Sequence, residues 1–387
     1  MSSAAPLPTP TIAPRPSGRV WLLDLLKAVG CVLIVLHHLA FYGPMSDVVM
    51  QVSPGLIEWL YDRARLAVQM FLVCGGFLTA ASMSKMQDLT VQGGLVLLWR
   101  RYLRLALPLL AALSAAVLIS EIIRPWFDHP SLSALPSWPQ AWAHVALLQH
   151  LLNMEALSAG VWYVAMDFQL YATALLVFYA AQQLAARSVT VPAVWRQRLW
   201  LLLTAGSLLW WSGNESLDDY AVYFWGSYGL GFLAFKSRDI GFSRKTWALV
   251  MALGMLSLLL DPHWRLATAL CVAALLAHAP QSWLQAPASR SRSVKAVQWL
   301  SQRSYSIFVI HFGVSLAVNA VVTHLWPEAL WPNGLGMLAS LGLSLCAGAA
   351  VFQHVEQAEP SLKRWAAWVT VFMASVAVAM QINALAV

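Results

Sequence analysis

The chain has 387 residues, 59% of them hydrophobic and 11% charged, with a formal net charge of +7. A mean hydropathy of +0.64 excludes a water-soluble globular domain and predicts an all-α fold, a polytopic transmembrane helical bundle. The basic residues gather at the ends of apolar runs, and no nucleic-acid-reading module accompanies them, so nucleic acid is excluded as a partner.

Residues 1–18 are rich in Pro, Ser and Ala and read as a disordered cytoplasmic tail. Apolar runs suited to membrane helices then follow at 20–42, 64–84, 102–123, 161–184, 198–213, 219–236, 246–261, 264–280, 304–326, 334–356 and 364–386. The middle runs are short and close together, which leaves the expectation at 10 to 11 spans. The stretch 142–154 is too short to cross and reads as interfacial or re-entrant. Lys and Arg cluster at alternate ends of these runs, which predicts an N-in, C-out topology with only Arg63, Arg65, Arg124 and Arg265 outside. Cys31, Cys74, Cys271 and Cys346 fall inside apolar runs without metal-ligand spacing and read as core packing.

The first span carries the densest signal: Asp24, Lys27, His37 and His38. A charge near the middle of a span costs about 3 kcal/mol on insertion scales, so such residues point to a site. At about 100° per residue, Asp24, Lys27 and His38 share one stripe and His37 faces another side. The competing interpretation has Asp24 and Lys27 snorkelling to the headgroups and His38 packed among neighbours. His38 lies roughly 25 Å along the helix, towards the outer face. Asp167 lies roughly 9 Å from the outer end of its span, which puts it at a depth where it could orient that imidazole. A lone carboxylate bonded to Tyr or Trp is the alternative.

Arg100, Arg101 and Arg104 precede Pro108 at the expected cytoplasmic mouth of the third span. They serve topology alone or form an anion clamp for a nucleotide-bearing donor. Gly75 and Gly76 suit close helix packing. Ser304, Tyr305, Ser306 and His311 are core residues or the polar lining of a donor channel. Trp138 and Trp142 are stacking platforms for sugar rings or markers of the membrane interface. No Gly-rich phosphate loop, paired metal-ligand motif or nucleophile elbow occurs, so neither a metal site nor serine hydrolysis is expected.

Leu23-Asp24-Leu25-Leu26-Lys27-Ala28 followed by His38 resembles the opening helix of the membrane-bound acyltransferase type 3 family, which ends in its catalytic histidine. Phe71 to Phe77, Arg101 and Arg104 with Pro108, Trp162 to Tyr171, Ser304-Tyr305-Ser306 to His311, and Val355-Glu356 with Pro360 are similar to later segments of that family, in the same order. The departures are Lys27 for an arginine, Asp167 for a glutamate, Gly75 for a serine, and a loosened Glu-Pro spacing.

The resemblance covers 19–360 as an acyltransferase domain and leaves 361–387 as an additional C-terminal transmembrane helix. It implies transfer of an acyl group, most simply acetyl from acetyl-CoA, to a hydroxyl of a carbohydrate or lipid-linked glycan. No cofactor is expected to stay bound, membrane lipid is the solvent, and the bacterial cytoplasmic (inner) membrane is the expected location. His38 and Asp167 are then the catalytic pair. Arg101, Arg104, Lys27, Asp24, Tyr305 and His311 serve the donor, and Trp162 and Tyr171 the acceptor. The rival function is a secondary transporter or glycan flippase that uses the same buried ions for proton coupling.

Overall fold

A computed structural model of the chain describes residues 20–239, 242–285, 287 and 291–386; the expected tail at 1–18 lies outside them. The described residues form helices without strands, as a lipid solvent demands, because each helix satisfies its own backbone hydrogen bonds. In chain order these are α1 (Trp21–Tyr42), α2 (Pro44–Met50), α3 (Pro54–Asp62), α4 (Ala67–Met83), α5 (Val91–Ile123), α6 (Trp138–Val145), α7 (Val161–Ala186) and α8 (Pro192–Leu209). There follow α9 (Ala221–Lys236), α10 (Arg244–Leu260), α11 (Trp264–His278), α12 (Gln281–Leu284), α13 (Arg292–Leu325), α14 (Leu330–Val351) and α15 (Leu362–Ala386).

Every expected span has its helix, but the lengths fall into two classes. Seven helical segments are long and apolar enough to cross a membrane: Trp21–Tyr42, Pro54–Met83, Val91–Ile123, Val161–Ala186, Arg292–Leu325, Leu330–Glu356 and Leu362–Ala384. The four between the fourth and fifth of these, α8 to α11, have 18, 16, 17 and 15 residues. At 1.5 Å per residue they fall short of a hydrocarbon core about 30 Å thick. Conversely, α5 and α13 begin 11 and 12 residues before their apolar runs. Thr90 caps the first, accepting from the Gly93 amide, and Ser291 caps the second, accepting from Val294. In α13 the extra turns, Arg292 to Arg303, are polar yet helical; in α5 the turns from Val91 to Trp99 are largely apolar and are set off from the run by Arg100 and Arg101.

The long helices α1, α5, α13, α14 and α15 pack as one group, and α4 and α7 to α11 as a second joined to it through α1, α4 and α7. Glycines set the α4–α9 spacing. A Cβ on Gly76 would lie 1.8 Å from the Tyr228 carbonyl oxygen, and one on Gly231 would lie 1.9 Å from that of Val73, so only bare backbone permits this approach. The expected role of Gly76 in packing therefore holds. Cys31 and Cys74 are buried as expected, but Cys271 and Cys346 are exposed on the bundle surface, where a lipid-facing helix side accepts a small apolar thiol. The last helix, α15, lies along α5. There Trp365 Nε1 donates to the Tyr102 hydroxyl at 3.0 Å, and the Asn383 amide donates to Glu121.

The connection between α5 and α7 decides where the site residues fall. Within it, α6 carries a capping box in which Ser137 and Gln140 satisfy each other's backbone amides. The Tyr102 hydroxyl donates to the Val145 carbonyl at 2.6 Å, and His144 bridges the Gln140 carbonyl (2.8 Å) and the Leu157 amide (3.1 Å). Burial pushes His144 down to about 4, so the ring is neutral and can accept from that amide. The segment is thus folded into the bundle. It ends at Gly160, whose φ of +78° and close approach to Phe308, 2.8 Å from an added Cβ, both require glycine.

Candidate active site

Helices α1 and α13 run side by side in parallel and meet at three levels. The Ser301 hydroxyl donates to Asp24 Oδ1 at 2.7 Å, Cys31 Sγ donates to the Ser304 carbonyl at 3.6 Å, and His38 Nδ1 lies 2.6 Å from His311 Nε2. The two imidazoles are parallel to within 2°, and His311 Nδ1 lies 2.6 Å from the Phe308 carbonyl oxygen.

That carbonyl decides the protonation pattern. A carbonyl only accepts, so His311 Nδ1 carries the hydrogen; a neutral His311 then accepts at Nε2, and His38 Nδ1 must donate to it. The remaining nitrogen of His38, Nε2, is left with its lone pair. A chain of two imidazoles anchored on main chain therefore ends in a base.

His38 lines a cavity of about 400 Å³ together with His37, Gln69, Trp162, Arg65, Glu215 and Arg265. It therefore combines a base, an aromatic wall and charges of both signs around a space fit for a small polar molecule. His37, expected to face elsewhere, lines the same space while its Nδ1 lies 3.2 Å from the Leu60 carbonyl oxygen. The α3 segment and the turn after it wrap over that side of α1, so two residues 100° apart both meet the cavity.

The expected partner of His38 is elsewhere. Asp167 Oδ2 accepts from Arg101 Nε at 3.1 Å and Nη2 at 2.5 Å. The expected depth assumed that α7 starts at the membrane surface. Instead α7 starts after Gly160, against Phe308, one turn before His311 on α13. The rise from Val161 to Asp167, roughly 9 Å, carries the carboxylate away from the imidazoles.

This ion pair also alters the expected arginine clamp. The Arg101 guanidinium is committed to Asp167 and lies 5.4 Å from the centre of the Tyr171 ring. Arg104 is exposed, so the two do not converge on one anion. Tyr171 is separated from the His38 cavity for a simple reason: nine residues after Trp162 means the opposite helix face and roughly 13 Å along the axis.

Trp162 does line the cavity. The Tyr305 hydroxyl is bonded to the Leu105 carbonyl at 2.6 Å, and His311 joins His38 rather than standing apart in a channel.

At the other end of α1, Asp24 and Ser301 share a neighbourhood with Lys27. The Lys27 ammonium is half-buried and within electrostatic reach of Glu356, which itself accepts from the Ser306 hydroxyl at 2.5 Å. Ser301 was not among the expected site residues, because it precedes the apolar run at 304–326; Ser306 was expected as core or channel lining, and Glu356 only as part of the family-like closing segment. Between this end and the imidazoles lie Cys31 and Ser304, which makes a polar thread along the α1–α13 contact.

No curated protein and no solved structure matches the chain. A family model for an acyltransferase domain, type 3, matches residues 20–382, from the start of α1 into the last turns of α15. The chain is thus an integral-membrane member of the acyltransferase type 3 family.

Proposed function

We propose that this chain transfers an acetyl group from acetyl-CoA to a hydroxyl of an envelope or exported glycan, with His38 as general base. The observation that carries this reading is the Phe308–His311–His38 chain, which leaves a lone pair at a cavity of about 400 Å³. In the proposed step, His38 Nε2 takes the acceptor hydroxyl proton as that oxygen attacks the thioester carbonyl. The C–S bond then breaks, and the thiolate recovers the proton from Nε2. Alcohol and thioester become ester and thiol, and the base is restored.

His311 holds the tautomer throughout and can share the positive charge that develops on His38. Trp162 offers an aromatic face to a sugar ring, and Arg65, Arg265 and Glu215 offer hydrogen bonds around it. The polar thread from Asp24 and Lys27 to Cys31 and Ser304 is the proposed route of the donor's acyl arm. Arg104, exposed near the same end, is the better candidate of the two arginines for a CoA phosphate, because Arg101 is committed to Asp167. In this reading the Asp24 end faces the cytoplasm of a bacterium, the His38 end faces outward across the inner membrane, and the topology is N-in and C-out, with eleven spans when α8 to α11 all cross.

The test is the O-acetyl content of envelope glycan from cells producing the wild-type chain or His38→Ala, with glycan export measured alongside. Loss of acetylation at normal export is the expected result. Unchanged acetylation with altered export would overturn the reading in favour of a flippase or transporter.

A further inference from the structure

A second cavity, about 280 Å³, is lined by His150, Trp162, Gln169, Asp218, Asp219 and Phe224. Trp162 and Phe224 also line the His38 cavity. Their ring centres lie 5.4 Å apart with the planes inclined at 32°, so one aromatic pair forms a wall common to both spaces. We infer that the acceptor glycan is held as at least two linked sugar units: one reacts at His38, and its neighbour sits in the pocket of Asp218, Asp219, Gln169 and His150. This inference rests on the transferase reading above and names its substrate class as an oligomer rather than a free monosaccharide.

The second pocket has the chemistry that sugar recognition needs. Carboxylates accept hydrogen bonds from vicinal hydroxyls, and an aromatic wall covers the apolar face of a ring. The Asp218–Asp219 loop is fixed on α7, since Gln169 donates its amide to the Asp219 carbonyl and accepts from the Ala221 amide, each at 3.1 Å. His150 Nδ1 lies 3.5 Å from Asp219 Oδ1. The other ring nitrogen, Nε2, is buried and has no hydrogen-bond partner among the described residues.

Burial pushes His150 below the usual imidazole range against the opposing charges of Asp219 and Asp218. The pocket therefore presents two carboxylates and a largely neutral ring near pH 7. That balance suits a neutral or amino sugar and disfavours a uronate. The first cavity differs, with Arg65 and Arg265 beside a single acid, Glu215.

The experiment uses the full chain in proteoliposomes with radiolabelled acetyl-CoA. Acceptors are mono- and disaccharide fragments of the producing cell's own envelope glycan, freed of esters by alkali. We expect kcat/KM for the disaccharide to exceed that for the monosaccharide by about ten- to a hundredfold, because remote contacts lower the barrier at the reacting unit. His150→Ala and Asp219→Ala should each erase most of that ratio while monosaccharide transfer stays within about twofold, and Asp219→Asn should keep part of it. Equal kcat/KM for the two fragments in the wild type, or variants that slow both fragments alike, would overturn the inference. Absence of transfer to any fragment would overturn the transferase reading itself, a result distinct from either.

Discussion

The imidazole pair of α1 and α13 and the ion pair of α5 and α7 are both buried polar contacts, and they do opposite things. His38 and His311 are joined through single hydrogens and end in a lone pair beside a cavity. Arg101 and Asp167 consume each other, with two guanidinium nitrogens on one carboxylate oxygen and the Tyr171 ring alongside. On the proposed reading, the imidazole chain serves the chemistry, whereas the ion pair ties α5 to α7.

Four sets of substitutions separate the two regions. The largest effect belongs to His38→Ala, which should lower transfer by about 10²- to 10⁴-fold with little change in thermal stability. Initial rates beside melting curves in detergent check this, and a variant retaining more than a tenth of wild-type rate would remove His38 from the chemistry.

Next is the ion pair, where Arg101→Leu or Asp167→Leu strands a buried charge. We expect about 3 kcal/mol of destabilisation from either, the low end for such pairs because the Arg101 side chain is 34% exposed. The double variant should recover most of it. A cycle in which the two losses simply add would mean the pair is not coupled.

The third is His311→Leu, which should cost about 10- to 100-fold in rate by removing the acceptor that orients His38. His311→Gln retains an oxygen for the same hydrogen and should keep most of the activity. If Gln and Leu are equally poor, the tautomer argument fails. The smallest is Tyr171→Leu, for which about 0.5–1 kcal/mol of stability and no change in acceptor KM are expected. A raised KM would return Tyr171 to the acceptor site.

The helical stripe singled out His38, because angular position depends only on residue count along one helix, but His37 lines the same cavity. Its partner was not legible. The depth of Asp167 was counted from a surface that α7 does not start at, since the segment before it is folded into the bundle. His311 stood out as a buried histidine, but its pairing joins residues 273 positions apart, and no local pattern carries that register. The fold class followed from composition. The short helices α8 to α11 kept the span count open, because 15 to 18 apolar residues sit at the length where hydropathy loses its power to decide. Glu356 was visible only through the family resemblance; its contact with Ser306 spans 50 positions.

The terminal member of the imidazole chain is the carbonyl of Phe308, and every amino acid has one. Scanning mutagenesis at position 308 can therefore change a ring that packs on Gly160 but can never delete the group that sets the base. Only an atom swap in the polymer itself reaches it: replacing Val309 with its α-hydroxy acid turns the amide into an ester and weakens that oxygen as an acceptor. Such semisynthesis would convert a question about side chains into one about the peptide bond.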